Sequence, residues 1–185
     1  MEKKYVFFMG QSGVGKTTTM KYLVKTFPDL FFMPIFTVTR KPRYDDEVGA
    51  FEYVSHEHYK RCREEMFIDL SGGYCYRKEA IHSSLPYALL YGSPYALEEM
   101  LHLKKSKMIL IEGDAEFGLS LRGLPAYLLE ERQGTNKLLQ NIFYKQEWFR
   151  KKMDLILTND FANHSTLQYF TNHLLSSLVN CMGVV

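Results

Sequence analysis

Apolar residues recur along the chain in short continuous runs, and this pattern predicts the strands of a sheet. The runs cover residues 5–9, 108–111, 126–129 and 155–158. A continuous run, as opposed to an alternating one, is typical of a strand buried on both faces. The stretches between the runs have helical spacing, and we predict helices at 16–26, 95–104, 136–152 and 165–179.

Strands that alternate with helices predict an α/β fold with three layers, in which helices cover a parallel central sheet. The region from about 37 to 92 breaks this alternation, because prolines, glycines and tyrosines interrupt it. We expect this region to form a small inserted lobe. The core would then comprise about residues 1–36 and 93–185.

Composition restricts the partners of the chain. Its 23 basic and 21 acidic residues leave a net charge of +2, which is too small to attract nucleic acid or a membrane surface. The three cysteines form no Cys-x-x-Cys pair, and no apolar run approaches the ~18 residues of a membrane span. We therefore expect reduced thiols and a cytoplasmic protein. The oligomeric state stays open, a homodimer included.

Residues 10–17 read Gly-Gln-Ser-Gly-Val-Gly-Lys-Thr and satisfy the Walker A pattern of a P-loop. Glycines let backbone N–H groups approach a phosphate, Lys16 supplies a positive charge, and the Thr17 hydroxyl suits Mg²⁺. A predicted strand precedes the motif and a predicted helix follows it, as a P-loop requires. The predicted ligands are ATP and Mg²⁺, and the predicted ATP contacts are Gly10, Ser12, Gly13, Val14, Gly15, Lys16, Thr17 and Thr18.

Two arginines, Arg40 and Arg43, lie three residues apart beside Pro42. Guanidinium groups are planar and permanently charged, so two of them suit a phosphate better than lysines would. Alone, such a pair is more often part of a solvated loop. The pair is nevertheless a candidate clamp for one phosphate.

The sequence resembles the guanylate kinase family. That family has Thr-x-x-Pro-Arg-type residues after its P-loop and then a Gly-x-x-Tyr-x-Phe-Val-Ser stretch. The segments that carry the resemblance lie in family order and cover most of the chain: 10–17, 39–43, 49–55, 91–93, 110–114 and 155–160. The implied fold is the P-loop NTPase type, with the inserted lobe binding the acceptor.

The resemblance also implies roles for residues in the acceptor lobe. Arg40 and Arg43 would hold the acceptor phosphate with help from Tyr91, and Ser93 would lie close to the nucleotide. Phe51 stands where the family has a tyrosine, so one hydroxyl contact with the phosphate is missing. The segment that follows Asp69 is longer than the connection the family usually has there.

Further roles follow for acidic and amide side chains. Asp69 and Glu112 match the positions that read guanine, whose N1–H and N2–H a carboxylate can accept together. An exposed acid is the alternative for each. Asp114 or Glu112 would hold a water bound to Mg²⁺, while Asn159 would lie near the adenine of ATP or cap a helix.

The lid is the clearest departure from the family, which brings several arginines over the phosphates. We expect a short lid at about 130–137, where Arg132 and Lys137 are the main candidates for neutralising phosphate charge, followed by Lys145 and Arg150. Lys16, Arg40, Arg43 and Arg132 form the predicted catalytic set.

The implied reaction is ATP plus GMP to ADP plus GDP. One alternative is a P-loop kinase for another small phosphate, such as a different nucleotide or a ribose phosphate. Another is a protein-interaction module that keeps the fold and has lost catalysis. The intact Lys16 and Thr17 argue against this last alternative.

Overall fold

The computed structural model describes residues 3–43, 49–160, 172–173 and 175–176. Its strands are β1 (Lys4–Met9), β2 (Phe31–Phe32), β3 (Phe36–Val38), β4 (Phe51–Tyr53), β5 (Met66–Asp69), β6 (Tyr74–Arg77), β7 (Tyr87–Tyr91), β8 (Ser106–Gly113) and β9 (Leu155–Asn159). Its α-helices are α1 (Lys16–Thr26), α2 (His56–Arg61), α3 (Leu97–His102), α4 (Ala115–Ser120), α5 (Ala126–Leu139) and α6 (Glu147–Arg150).

Five strands form an all-parallel sheet in the order β2-β7-β1-β8-β9. Continuous apolar runs account for its burial, because Val6 to Met9 and Met108 to Ile111 are each at most 1% exposed. The predicted strands at 5–9, 108–111 and 155–158 correspond to β1, β8 and β9, and the predicted helix at 16–26 is α1. The predicted α/β fold class is confirmed.

A second sheet has the order β4-β3-β6-β5 and contains both parallel and antiparallel pairs. Strands β5 and β6 form a hairpin, and its turn passes through Ser71, Gly72 and Gly73, all with positive φ. Backbone of this kind favours glycine, so the two glycines of the sequence mark the turn. All four strands are short, at three or four residues each.

The chain divides into two compact units, of residues 1–7 with 27–107 and of residues 8–26 with 108–185. The first contains the four-stranded sheet, α2, α3 and the predicted acceptor residues of the lobe. The second contains the 10–17 loop and α1, and also α4 to α6. Among the described residues, none of the helices is both long and apolar enough to cross a membrane.

The predicted strand at 126–129 is wrong, because these residues begin the helix α5. Its buried positions are Leu128, Arg132 and Asn136, whose spacing of four is helical, while Tyr127 is 68% exposed. Pro125 precedes the helix and suits a helix start. Residues 130–137, the predicted lid, lie within α5.

The single helix predicted at 136–152 is also wrong in form. Helix α5 ends at Leu139, a π-helical turn follows at Gln140–Tyr144, and α6 begins at Glu147. Apolar spacing predicted that Trp148 and Phe149 both lie in the core. In the structure Phe149 is fully buried, whereas Trp148 is 51% exposed. The predicted helix at 165–179 lies outside the described residues except at 172–173 and 175–176, which are helical.

Candidate functional site

The 10–17 loop connects the end of β1 to the start of α1, which is the setting that the motif requires. Gly10, Gly13 and Gly15 have φ values of 134°, 101° and 96°. A Cβ on Gly10 would lie 2.2 Å from the carbonyl oxygen of Ile111, and one on Gly13 would lie 2.5 Å from that of Ala115. The loop therefore needs glycine both for its backbone conformation and for its close packing.

Helix α5 clamps this loop through one buried amide. The Asn136 Oδ1 accepts a hydrogen bond from the Ser12 N–H at 2.7 Å, and the Asn136 Nδ2 donates to the Ser12 carbonyl at 2.8 Å. One turn earlier, Arg132 donates from Nη1 to the Ser12 Oγ at 3.1 Å. Gln11 donates in return to the Asn136 carbonyl at 3.3 Å. Both backbone groups of Ser12 are thus paired with one side chain.

A second asparagine, Asn159 at the end of β9, supports the opposite part of the loop. Its Nδ2 donates to the Val14 carbonyl at 3.1 Å, and a Cβ on Gly15 would lie 2.7 Å from the same nitrogen. Val14 itself is fully buried. We predicted that Asn159 lies near adenine; in the described contacts it fixes the backbone of the loop.

Lys16 folds back onto the loop and donates from Nζ to the carbonyl oxygens of Gly10 at 2.8 Å and Gln11 at 2.6 Å. Burial, followed by the positive charges of Arg122 and Arg132, lowers the pKa of Lys16 to about 7. The ammonium group thus lies at the loop among other cations. A bound polyphosphate would relieve this repulsion and favour the charged lysine.

The residues at the start of α1 fit a magnesium ion by the type of their donors. Thr17 follows Lys16 in the first turn of α1, and a hydroxyl oxygen is a ligand that hard cations accept beside phosphate oxygens and water. Asp114 is exposed, and its Oδ1 caps α4 by accepting from the Phe117 N–H at 2.9 Å. No cluster of three or more His, Cys, Asp or Glu side chains suited to a metal occurs among the described residues.

In the first unit, Arg40 lies on an aromatic surface. Its guanidinium carbon is 5.1 Å from the ring centre of Phe51 and 5.9 Å from that of Tyr53, and its Nη1 donates to the Lys41 carbonyl at 3.0 Å. Contact with a ring face restrains the plane of a guanidinium. Arg43 is half-buried and is the last residue described before residue 49.

The aromatic surface continues through Phe36, whose ring centre is 4.7 Å from Tyr76, 5.6 Å from Tyr91 and 6.2 Å from Phe51. Tyr76 is buried and accepts from the Tyr91 N–H at 2.7 Å, which fixes the end of β7. Ser93 follows two residues later and precedes a short 3₁₀ turn at Pro94–Ala96. The predicted residues Arg40, Phe51 and Tyr91 thus share one aromatic cluster.

Asp69 ends β5, and its carboxylate binds donors from its own unit. The Oδ1 accepts from the Tyr59 hydroxyl at 2.6 Å and from the Ser71 N–H at 2.8 Å. Desolvation and the bond to Asp69 raise the pKa of Tyr59, which keeps its hydroxyl protonated and donating. Asp69 therefore stabilises the turn between β5 and β6.

Glu112 lies near the end of β8, and Arg150 holds both of its oxygens. The Nη1 of Arg150 contacts Oε1, while Nη2 donates to Oε2 at 3.2 Å. The hydrogen bond to Glu112 raises the pKa of Arg150, which also donates to the Tyr144 carbonyl at 3.3 Å. Glu112 and Tyr144 also line a small cleft of about 40 Å³ with Gln11.

Asn136, Arg122 and Tyr59 are not among the predicted site residues. Asn136 reads as an ordinary surface residue in a polar helix, although its spacing of four from Arg132 and Leu128 was a usable signal. Arg122 precedes Gly123 and belongs to no recognisable motif, so the sequence offered no reason to place it at the site. Arg150 was a candidate for phosphate charge, but its pairing with Glu112 was not foreseen.

The chain was compared with known proteins by sequence and by structure. No protein-family model matches it. A guanylate kinase of Campylobacter jejuni strain RM1221 is 34% identical over 62 residues, which are 33% of this chain and 30% of the relative. Another, from C. jejuni subsp. jejuni serotype O:2, is 38% identical over 53 residues, which are 28% of this chain and 26% of the relative. These matches span less than a third of the relatives.

Structural similarity extends further along the chain. The crystal structure of guanylate kinase from Anaplasma phagocytophilum superposes on 96% of this chain and 88% of that chain, with a TM-score of 0.61 and 15% identity. At this identity, the likeness shows the fold.

Proposed function

We propose that this chain, a divergent member of the guanylate kinase family, transfers the γ-phosphate of ATP to the phosphate of GMP and yields ADP and GDP. The observation that carries the proposal is the construction of the 10–17 loop. Three glycines with positive φ, a lysine at the start of α1 and two asparagines that fix the backbone form a rigid cradle. Such a cradle suits the phosphates of a nucleotide.

In the proposed reaction, an acceptor phosphate oxygen attacks the γ-phosphorus, and the bond from that phosphorus to the β–γ bridging oxygen breaks. ADP leaves with the bridging oxygen. Lys16 neutralises charge on the transferred group, and Arg132 adds a guanidinium beside Ser12. Magnesium, when bound, offsets further phosphate charge and would be held by Thr17, with Asp114 as the candidate partner through water.

The acceptor phosphate is assigned to Arg40 and Arg43, with Tyr91 and Ser93 near it. The ring faces of Phe51 and Tyr53 support this role for Arg40, because they restrain the plane of its guanidinium. Phe51 offers a ring and no hydroxyl, so the acceptor phosphate would depend on the arginines. ATP would contact Gly10, Ser12, Gly13, Val14, Gly15 and Thr18 of the loop and its helix.

A coupled assay that measures ADP formation tests the proposal with GMP, AMP, CMP, UMP, dTMP and ribose 5-phosphate as acceptors. We expect turnover with GMP. Activity with another acceptor and none with GMP would instead favour a kinase for that phosphate.

Two lysine variants test the role of the loop. Lys16→Met should lower kcat/KM for ATP by ~10²–10³, the loss typical of a donor that stabilises developing charge. Lys25→Met removes an exposed lysine from the last turn of α1 and should change it less than ~2-fold. If Lys16→Met changed neither kcat/KM nor the affinity for ATP, the kinase assignment would be contradicted and a protein-interaction module favoured.

A further inference from the structure

We propose that Arg150 is a positioning residue for ATP binding: through its pair with Glu112 it fixes the segment that continues α5, and α5 in turn holds the 10–17 loop. The inference rests on the proposed kinase function and gives both side chains a role on the ATP side of the reaction. The resemblance to the family implies instead that Glu112 reads the acceptor base, and Arg150 was a candidate for phosphate charge. All of the residues that carry the inference belong to the second compact unit.

Two elements, β8 and α5, contact the loop. Gly10 packs directly on β8, since a Cβ there would lie 2.2 Å from the Ile111 carbonyl oxygen. Ser12 is bound by Asn136 of α5 through two hydrogen bonds, at 2.7 Å and 2.8 Å. The conformation of the loop therefore depends on how α5 lies relative to β8. A contact that sets this arrangement should affect ATP binding.

The guanidinium of Arg150 connects β8 to the continuation of α5. Its Nη1 contacts the Glu112 Oε1, and its Nη2 donates to Oε2 at 3.2 Å, near the end of β8. Nη1 also donates to the Tyr144 carbonyl at 3.3 Å, at the end of the π-helical turn that follows α5. A two-pronged pair of this kind has a defined geometry as well as a favourable energy. One side chain thus sets the position of the turn relative to the strand.

These contacts form a closed ring around a small cleft. From β8 the ring passes through the loop to α5, along the π-helical turn, and back to β8 through Arg150. Gln11 of the loop, Glu112 and Tyr144 line the cleft inside the ring, whose volume is about 40 Å³. Sites for small molecules usually measure ~300 Å³ or more, so this cleft is too small for a nucleobase. The pair is therefore better explained as a support of the loop than as part of a base pocket.

The π-helical turn makes such a support useful. The Lys145 N–H donates to the Gln140 carbonyl at 3.1 Å, five residues back, and turns of this wide form are rare and frequent at functional sites. Asn136 lies one helical turn before the irregular segment begins at Gln140. A shift of the segment would therefore move the side chain that binds Ser12.

Isothermal titration calorimetry with MgATP tests the proposal in two variants that break the pair from either end. Arg150→Met and Glu112→Gln should each raise the Kd ~3- to 10-fold, because the pair is partly exposed and only part of its loss reaches the loop. Glu112→Gln keeps the shape of the side chain, so the test does not depend on how well Arg150→Met folds. The matched control is Lys151→Met, which breaks the exposed pair with Glu147 on the same segment and should change the Kd less than ~2-fold.

Coupling with Asn136 separates positioning from direct contact with the phosphates. If Arg150 acts through α5, then adding Arg150→Met to Asn136→Ala should raise the Kd less than ~2-fold further, because the clamp on Ser12 is already lost. Two independent contacts would instead multiply their effects. Full multiplication would overturn the inference.

Steady-state kinetics distinguish the positioning role from the two predicted roles. In both variants, kcat at saturating MgATP should fall less than ~3-fold, and the KM for GMP should stay within ~2-fold. A loss of ~10² or more in kcat for Arg150→Met would make Arg150 a group that stabilises the transferred phosphate. A raised KM for GMP in Glu112→Gln, with the Kd for MgATP unchanged, would assign Glu112 to the acceptor. Either result would overturn the inference.

Calorimetry also separates this inference from the proposed function. Loss of folded protein lowers the measured stoichiometry and leaves the Kd of the folded molecules as it was, so a purely structural role for the pair would not raise the Kd. Unchanged MgATP binding in both variants would overturn the inference while the kinase proposal stood. Absence of MgATP binding in the unaltered protein would overturn both.

Discussion

The hydrogen bonds between Asn136 and Ser12 should determine how well the 10–17 loop is preformed for ATP. Asn136→Ala removes both hydrogen bonds, at 2.7 Å and 2.8 Å. The N–H and the carbonyl of Ser12 must then find water or other partners. Asn136→Asp keeps an oxygen toward the N–H but turns a second oxygen toward the Ser12 carbonyl. It also adds a negative charge beside the loop.

The size of the effect follows from the two bonds. Each is worth ~1–1.5 kcal/mol where water has partial access, so the pair contributes ~2–3 kcal/mol to the ordered loop. Part of this loss lowers the free energy of unfolding, and the rest appears in binding. Since ~1.4 kcal/mol is tenfold, the Kd for MgATP should rise ~10- to 100-fold in Asn136→Ala. It should rise further in Asn136→Asp, because the ligand is anionic.

Isothermal titration calorimetry with MgATP measures the Kd, and thermal unfolding of the same samples separates folding from binding. The matched control is Asn141→Ala, an exposed asparagine in the π-helical turn, which should bind MgATP like the unaltered protein. If Asn136→Ala bound MgATP within ~2-fold of the unaltered protein, the loop would hold its shape without the clamp and the reasoning would be refuted.

Three further predictions concern the loop and the arginine clamp. The pKa of Lys16 is about 7 before ATP binds and should rise on binding, so ATP binding should take up close to one proton at pH 8.5 and almost none at pH 6. Calorimetry in buffers of different ionisation enthalpy measures this proton uptake. The uptake should be absent in Lys16→Met. Phe51→Leu should raise the KM for GMP ~2- to 5-fold and leave the Kd for ATP unchanged, as loss of a ring under Arg40 predicts. Gly13→Ala should lower the melting temperature and abolish ATP binding, whereas Gly134→Ala in helix α5, where a Cβ meets nothing within 4 Å, should stabilise the protein by up to ~1 kcal/mol.

Sequence patterns predicted the elements that are long or buried on both faces. The apolar runs at 5–9 and 108–111 are strands because an apolar stretch of that length has few other ways to bury all its side chains. The run at 126–129 is as long as the run at 108–111, but the helix formers after it extend a helix back to Ala126, and Tyr127 is exposed on it. Its amphipathic spacing is visible only when Leu128 is considered with Asn136.

The loop of the candidate site could be predicted from sequence, because it requires glycines and a lysine at fixed positions. The hydrogen-bond partners of its polar side chains could not, because a partner can come from any part of the chain. Gly10, Gly13 and Gly15 stand at positions that a side chain could not occupy, so the motif alone located the loop. The partners of Asp69 and Glu112 lie 10 and 38 residues away, in Tyr59 and Arg150. The local sequence does not show whether a carboxylate accepts hydrogen bonds from other side chains of the protein or is left to bind a ligand.

The segment predicted as a lid, 130–137, contains one arginine, Arg132, and the second unit indicates how further positive charge could reach the loop. Arg132, on α5, donates a hydrogen bond to the Ser12 hydroxyl of the loop. Burial lowers the pKa of Lys16, and the positive charges of Arg122 and Arg132 lower it further. Cations held close together in the absence of an anion repel one another, and a polyphosphate removes that repulsion when it binds. The folded state thus holds Lys16 in a less favourable charged form before ATP arrives. Binding of a polyphosphate would recover this free energy, so under the proposed function a few cations fixed at the loop would supply the positive charge that we expected from a lid.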